Sequence, residues 1–130
     1  MDLPLVQLYL DLIGETMDYN VEYQTTDIEV VQDNTIDLSY SVELNDVAYD
    51  MTGMQLDIQV RTKDVANTLV ISWSSAGTSP VITISTNIYN IYAVGIADVG
   101  KYEYDVKLTS GSDVSTIQRG NFYVIEKRTV

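Results

Sequence analysis

A chain of 130 residues, 45% of them apolar, has enough material for one folded domain and not for several. It contains neither Cys nor His, which excludes disulfides, zinc fingers, thiol nucleophiles, haem or iron–sulfur ligation and every acid–base scheme that needs an imidazole. Seven Lys and Arg against nineteen Asp and Glu give a net charge of -12. That field repels polyanions, so no nucleic acid is expected as a partner.

In chain order, the opening run Leu3-Pro4-Leu5-Val6-Gln7-Leu8-Tyr9-Leu10-Asp11-Leu12-Ile13 is apolar. It lacks a basic flank, is interrupted by Gln7 and Asp11, and is too short to span a bilayer, so it reads as structure, and no membrane is expected as a partner. Period-two alternation then recurs, which puts one set of side chains in a core and the other in water. Met17, Tyr19, Val21 and Tyr23 alternate with Asp18, Asn20, Glu22 and Gln24. The clearest run is Ile36, Leu38, Tyr40, Val42 and Leu44 against Asp37, Ser39, Ser41 and Glu43. Met54, Leu56, Ile58 and Val60 follow the same rule, as do Tyr102, Tyr104, Val106 and Leu108. Weaker strand candidates are Val6 to Leu12, Ile28 to Val31, Leu69 to Trp73, Val81 to Ile84 and Ile117 to Ile125. Tyr40, Val42, Leu56, Ile58, Tyr104 and Val106 are the expected core.

Turn chemistry marks the joints. Gly14-Glu15 separates the first two runs, Asp33-Asn34 precedes the third, and Asn45-Asp46 suits a two-residue turn whose residues take positive φ. Ser75-Ala76-Gly77-Thr78-Ser79-Pro80 and Ser110-Gly111-Ser112-Asp113 read as hairpin loops. Helix is restricted to a short turn within Tyr89 to Ala97, where β-branched residues and Gly95 oppose anything longer. Many short strands with such turns indicate an all-β fold, an immunoglobulin-like antiparallel β-sandwich with an extra N-terminal β-hairpin. The division is residues 1–26 as hairpin or assembly arm and residues 27–130 as sandwich.

One local signature is more specific. Asp98-Val99-Gly100-Lys101-Tyr102-Glu103-Tyr104 has the spacing that opens strand F of immunoglobulin-like domains, where the Tyr hydroxyl bonds back to the backbone. Asp98, Gly100 and Tyr102 would form this corner, with Gly100 making the turn, and Tyr104 stands where those domains place a cysteine. The single Trp, Trp73, reads as a packing anchor.

From about Val30 onward the sequence resembles a family of small immunoglobulin-like domains in tailed-phage virion proteins, typified by the N-terminal domain of baseplate upper proteins. The likeness is carried by Val31-Gln32-Asp33-Asn34-Thr35, by Leu44-Asn45-Asp46-Val47-Ala48-Tyr49-Asp50-Met51-Thr52-Gly53-Met54, by Gln59-Val60-Arg61-Thr62-Lys63-Asp64, and by Val99-Gly100-Lys101-Tyr102-Glu103-Tyr104-Asp105-Val106. Adaptor members of that family continue into a fibre-binding region, whereas this sequence ends at Arg128-Thr129-Val130, and residues 2 to 26 are additional to the family domain. The resemblance implies a location in the virion and a structural role in baseplate, tail, neck or capsid decoration.

Charge and aromatic choice bear on how such a domain works. Residues 1–60 hold thirteen acids and no Lys or Arg, while residues 61–130 hold six acids and seven bases, so the halves carry -13 and +1. An acidic face steering a basic partner and acids keeping a β surface soluble are both compatible with this. Ten Tyr against one Phe and one Trp suit partly wet protein contacts. A non-enzymatic virion component is therefore expected, with other virion proteins and copies of itself as partners, no cofactor and no small-molecule substrate. Val6, Leu8, Leu10 and Leu12 supply the apolar face of its expected interface, because an isolated hairpin needs a surface to lie on. The alternative is a carbohydrate- or receptor-binding module using Tyr and Trp73 for stacking. Two-carboxylate catalysis has no preferred pair among Asp37, Glu43, Asp57, Glu103 and Asp105, which all sit in the polar phase of strands. Asp46 and Asp50, and Asp33, Asn34 and Asp37, crowd turns that calcium could use, without the ligand spacing of an EF-hand.

Overall fold

The computed structural model describes residues 5–13, 18–22, 24–78, 80–96 and 98–127. Among them are β1 (Leu5–Ile13), β2 (Asp18–Glu22), β3 (Gln24–Thr25), β4 (Ile28–Val31), β5 (Ile36–Leu44), β6 (Val47–Ala48), β7 (Gln55–Thr62), β8 (Leu69–Ser74), β9 (Ile82–Ser85), β10 (Ile88–Ala93), β11 (Gly100–Ser110) and β12 (Asp113–Ile125), and no helix. One sheet has the order β2-β1-β5-β10-β9, with β6 also on β5. The other has the order β3-β12-β11-β7-β8, with β4 also on β12. The two sheets make an all-β sandwich, with β5-β10-β9 in one and β12-β11-β7-β8 in the other.

The alternating runs form the strands because each buries one face against the opposite sheet. Tyr40, Val42, Leu56, Ile58, Tyr104 and Val106 are all buried, and they are joined in the core by Ile82, Tyr89, Ile91, Ile117 and Phe122. Turn chemistry fixes register. Asn45 at φ 50° and Asp46 at φ 68° close the β5–β6 hairpin, and Gly111 at φ 62° begins the two-residue turn between the paired Ser110 and Asp113.

Three features depart from the sequence reading. The helical turn expected within Tyr89 to Ala97 is not found among the described residues: Ile88–Ala93 is β10, an inner strand between β5 and β9, with Tyr89, Ile91 and Ala93 turned inward. Ser75 to Pro80 is not a hairpin loop, because β8 and β9 belong to different sheets and the segment crosses between them. The sandwich is also not wholly antiparallel, since β1 runs parallel to β5, and β3 and β4 run parallel to β12. A period of two dictates which side chains face inward, not the direction of the neighbouring strand.

A polar chain crosses the core. The Tyr89 hydroxyl donates to Gln118 Oε1, Gln118 Nε2 donates to the Tyr104 hydroxyl at 2.9 Å, and that hydroxyl donates to the Thr26 carbonyl oxygen. Tyr40 stacks on Tyr89 with ring centroids 5.3 Å apart. Gln118 is fully buried, and the register shift between Val106 and Lys107 opposite β12 lets Ile117 and Gln118 both point inward. Burial pushes the ionisation of Tyr40, Tyr89 and Tyr104 above the ordinary tyrosine range. The unfolded chain ionises these groups near pH 10 while the fold keeps them protonated, so the native state binds more protons and stability falls as pH rises past about 10. Below that pH their contribution is fully present. Each such tyrosine should steepen the loss by about 1.4 kcal/mol per pH unit until its own folded-state ionisation. Spectrophotometric titration should show these tyrosinates appearing together with loss of the β-sheet circular dichroism; their ionisation at pH 10 with the fold intact would contradict the network.

Candidate interaction surfaces

The N-terminal hairpin joins the sandwich through backbone pairing. Leu5 to Leu8 pair with Ser41 to Leu44, and Tyr9 to Ile13 pair with Glu22 to Asp18. Because β5 ends at Leu44, the second half of β1 is strand-paired with β2 and not with β5, and the hairpin also lies against β12 and β3. Val6, Leu8, Leu10 and Leu12 lie on β1; the placement of their side chains lies outside what is described.

The chain returns from this hairpin through a joint that is tightly held. Thr26 N donates to Arg119 O at 2.8 Å, Asn121 N donates to Asp27 Oδ1 at 2.9 Å, and Tyr104 holds the Thr26 carbonyl from the core side. The backbone passes so close over β12 that a Cβ on Gly120 would lie 2.1 Å from Thr26 O. Gln118, Gly120, Thr26 and Asp27 escaped the sequence reading. The available signal was a Gly within a strand, which often marks close backbone approach.

At the corner, the Tyr102 hydroxyl donates to the Asp98 carbonyl oxygen at 3.0 Å, the back-bond of a tyrosine corner. Gly100 differs from its expected role. Its φ is not positive, and an added Cβ would rest 3.4 Å from the Tyr102 ring, so the turn itself does not require glycine. Tyr102→Phe should destabilise the domain by about 0.5–1.5 kcal/mol, the usual net value of one hydrogen bond. Urea denaturation measures this, and a variant as stable as the parent would show that the bond contributes nothing.

The outer face of the second sheet carries a shallow polar groove of ≈ 280 Å³ between the Thr25–Asp27 joint and the strands β12, β11 and β7. Register places Glu103 between Asn121 and Arg61, and Asp105 between Arg119 and Gln59. Asn67 Nδ2 donates to Glu103 Oε1 at 2.6 Å, and Arg61 donates to Gln59 at 2.9 Å. Asp105 Oδ1 is shielded from solvent without a hydrogen-bond partner among the described residues. The groove can hydrogen-bond a polar surface.

The acidic turns are occupied by local bonding. Asp50 Oδ1 accepts from Thr52 N at 2.9 Å, and hydrogen bonding from the Thr52 side chain first and its backbone second lowers the Asp50 ionisation below the usual carboxylate range; Asp37 Oδ1 accepts from Asn90 at 2.9 Å. Among the described residues no group of three or more acidic side chains is arranged to hold a metal ion. Trp73 is buried and meets Phe122 edge-on at 6.2 Å, so it anchors the core and offers no platform for a sugar ring. No strand of the first sheet contains Lys or Arg, whereas β7, β11 and β12 hold Arg61, Lys101, Lys107 and Arg119. The charge asymmetry along the sequence thus becomes an asymmetry between sheets.

No family model matches the chain, and no curated protein matches it. Among solved structures, the N-terminal domain of phage TP901-1 ORF48 is similar, with a TM-score of 0.50 and 12% sequence identity over 96% of this chain and 100% of that one. At this identity the likeness is one of fold, and the fold is one that a phage protein uses.

Proposed function

We propose that this protein is a structural component of a phage virion, in the baseplate, tail, neck or capsid decoration, which works through contacts with other virion proteins and with copies of itself. It performs this role without catalysis, cofactor or small-molecule substrate. The observation that carries the reading is the fold shared with the N-terminal domain of a phage protein over nearly the whole of both chains. The sequence resemblance to the N-terminal domain of baseplate upper proteins points the same way. The β1–β2 hairpin supports an assembly role, because its outer half is strand-paired only within itself, and a two-stranded ribbon is marginal in water and gains stability when a partner covers it.

The test is incorporation. The full chain and a variant lacking residues 2 to 24 are supplied to particles deficient in the protein, and purified virions are analysed by peptide mass spectrometry. The full chain should be present in stoichiometric amounts and the truncated chain, folded by circular dichroism, should be lost from the particle by at least about tenfold, which is a contact energy of about 1.4 kcal/mol. Equal incorporation of both would remove the hairpin from assembly. Absence of the full chain from purified particles would overturn the virion role itself.

A further inference from the structure

From Val65 to Ala97 the sequence contains no Asp, Glu, Lys or Arg, although charged residues make up 20% of the chain. This stretch supplies β8 and β9, which end the two sheets on the same flank of the sandwich. Strands at a sheet edge present unpaired N–H and C=O groups, and folded proteins ordinarily guard them with charge, proline, shortness or a bulge. The opposite flank follows that rule, with Asp18 and Glu22 on β2 and Glu29 on β4. β9 is short and follows Pro80. β8 has no such protection along most of its length. Its bulge lies at Val70, and from Ile71 to Ser74 its pairing with β7 is regular. Leu69 and Val70 are 44% and 39% exposed, and the next outward side chains are the small Ser72 and Ser74.

We propose that β8 is a self-association edge, on which a second copy of this chain lays its own β8 antiparallel across a two-fold axis, joining the two outer sheets into one. A strand paired antiparallel with its own copy is what a two-fold axis generates, so one patch suffices for both partners. Charge selects the occupant. Two molecules of net charge -12 repel at most approaches, and the uncharged flank is where their backbones can meet without bringing acids together. Raising the salt concentration shortens the reach of that repulsion from about 10 Å at 0.1 M to about 3 Å at 1 M, so this dimer should strengthen with salt. The inference concerns the chain alone and does not depend on the virion reading.

The native absence of cysteine makes cross-linking a clean test on the full chain. Val70→Cys, Ser72→Cys and Ser74→Cys are oxidised separately, with Lys107→Cys on the face of the central strand β11 as control. At least one edge variant should give a covalent dimer, and the control should not. Sedimentation equilibrium should show a concentration-dependent dimer whose fraction rises with salt, and which Val70→Lys with Ser72→Lys abolishes while leaving the melting temperature unchanged. A parent chain that stays monomeric at every concentration and salt would overturn the proposal. So would a dimer that survives the double lysine variant, weakens with salt, or cross-links as readily through the control.

Discussion

Replacement of Ile58 by alanine is expected to destabilise the domain by about 2–5 kcal/mol, through the transfer energy of the lost carbons plus the cavity left behind. Ile58 is 1% exposed and sits mid-strand on β7, opposite Trp73 on one side and Val106 on the other. Neighbours held on both sides by strand pairing cannot collapse into the space, which places the cost toward the upper part of the range. The adjacent Gln59 points out of the same strand, where its Oε1 accepts from Arg61, so Gln59→Ala should stay within about 0.5 kcal/mol of the parent. The pair tests register, because a slip of one residue would exchange their environments. Urea denaturation with an unchanged slope should show the large and the small loss in that order, and the reverse order would refute the face assignment.

Gly120→Ala is expected to cost about 1–3 kcal/mol by overpacking. The clash would fall on the Thr26 carbonyl at 2.1 Å, a backbone atom fixed from the core side by Tyr104 and flanked by the Thr26–Arg119 and Asp27–Asn121 bonds. The joint therefore cannot yield without losing some of these contacts. Hydrogen exchange should locate the damage, with Thr26 and Asn121 amides losing protection while Val60 and Val106 keep theirs. A variant with parental stability and parental exchange at Thr26 would show that the joint is not held as described.

Much of this architecture is legible in the sequence where one-sided burial enforces alternation. Ile36 to Leu44 marks β5 to its ends, and Asn45-Asp46 names a turn by residues that tolerate positive φ. The β9–β10 hairpin is hidden for the converse reason. Its turn begins at Thr86, a β-branched residue at φ 56°, a conformation such residues rarely adopt, and the outward face of β10 carries Ile88, Asn90 and Tyr92 in place of charges. The Ser75 to Pro80 loop announces a reversal but not which sheet receives the next strand. The parallel placement of β1 on β5 leaves no local mark, because it is a long-range pairing. Gln118 and Gly120 are explained only by what crosses them in space.

The candidate surfaces divide along the same line. Tyr102 and Asp98 are four residues apart, so their bond is written in spacing. The Thr26 joint, the polar groove and the bare β8 edge depend on strands brought together from distant parts of the chain. The sugar-binding alternative rested partly on Trp73, and burial of that ring removes it from any surface.

An electron cryo-microscopy reconstruction of the purified phage particle, at a resolution that separates strands, tests the virion role. This sandwich should appear there in repeated copies, at contacts between protein subunits, with the β1–β2 hairpin covered by a neighbour. A complete reconstruction in which no density fits the domain, while the protein accumulates unassembled in infected cells, would contradict it.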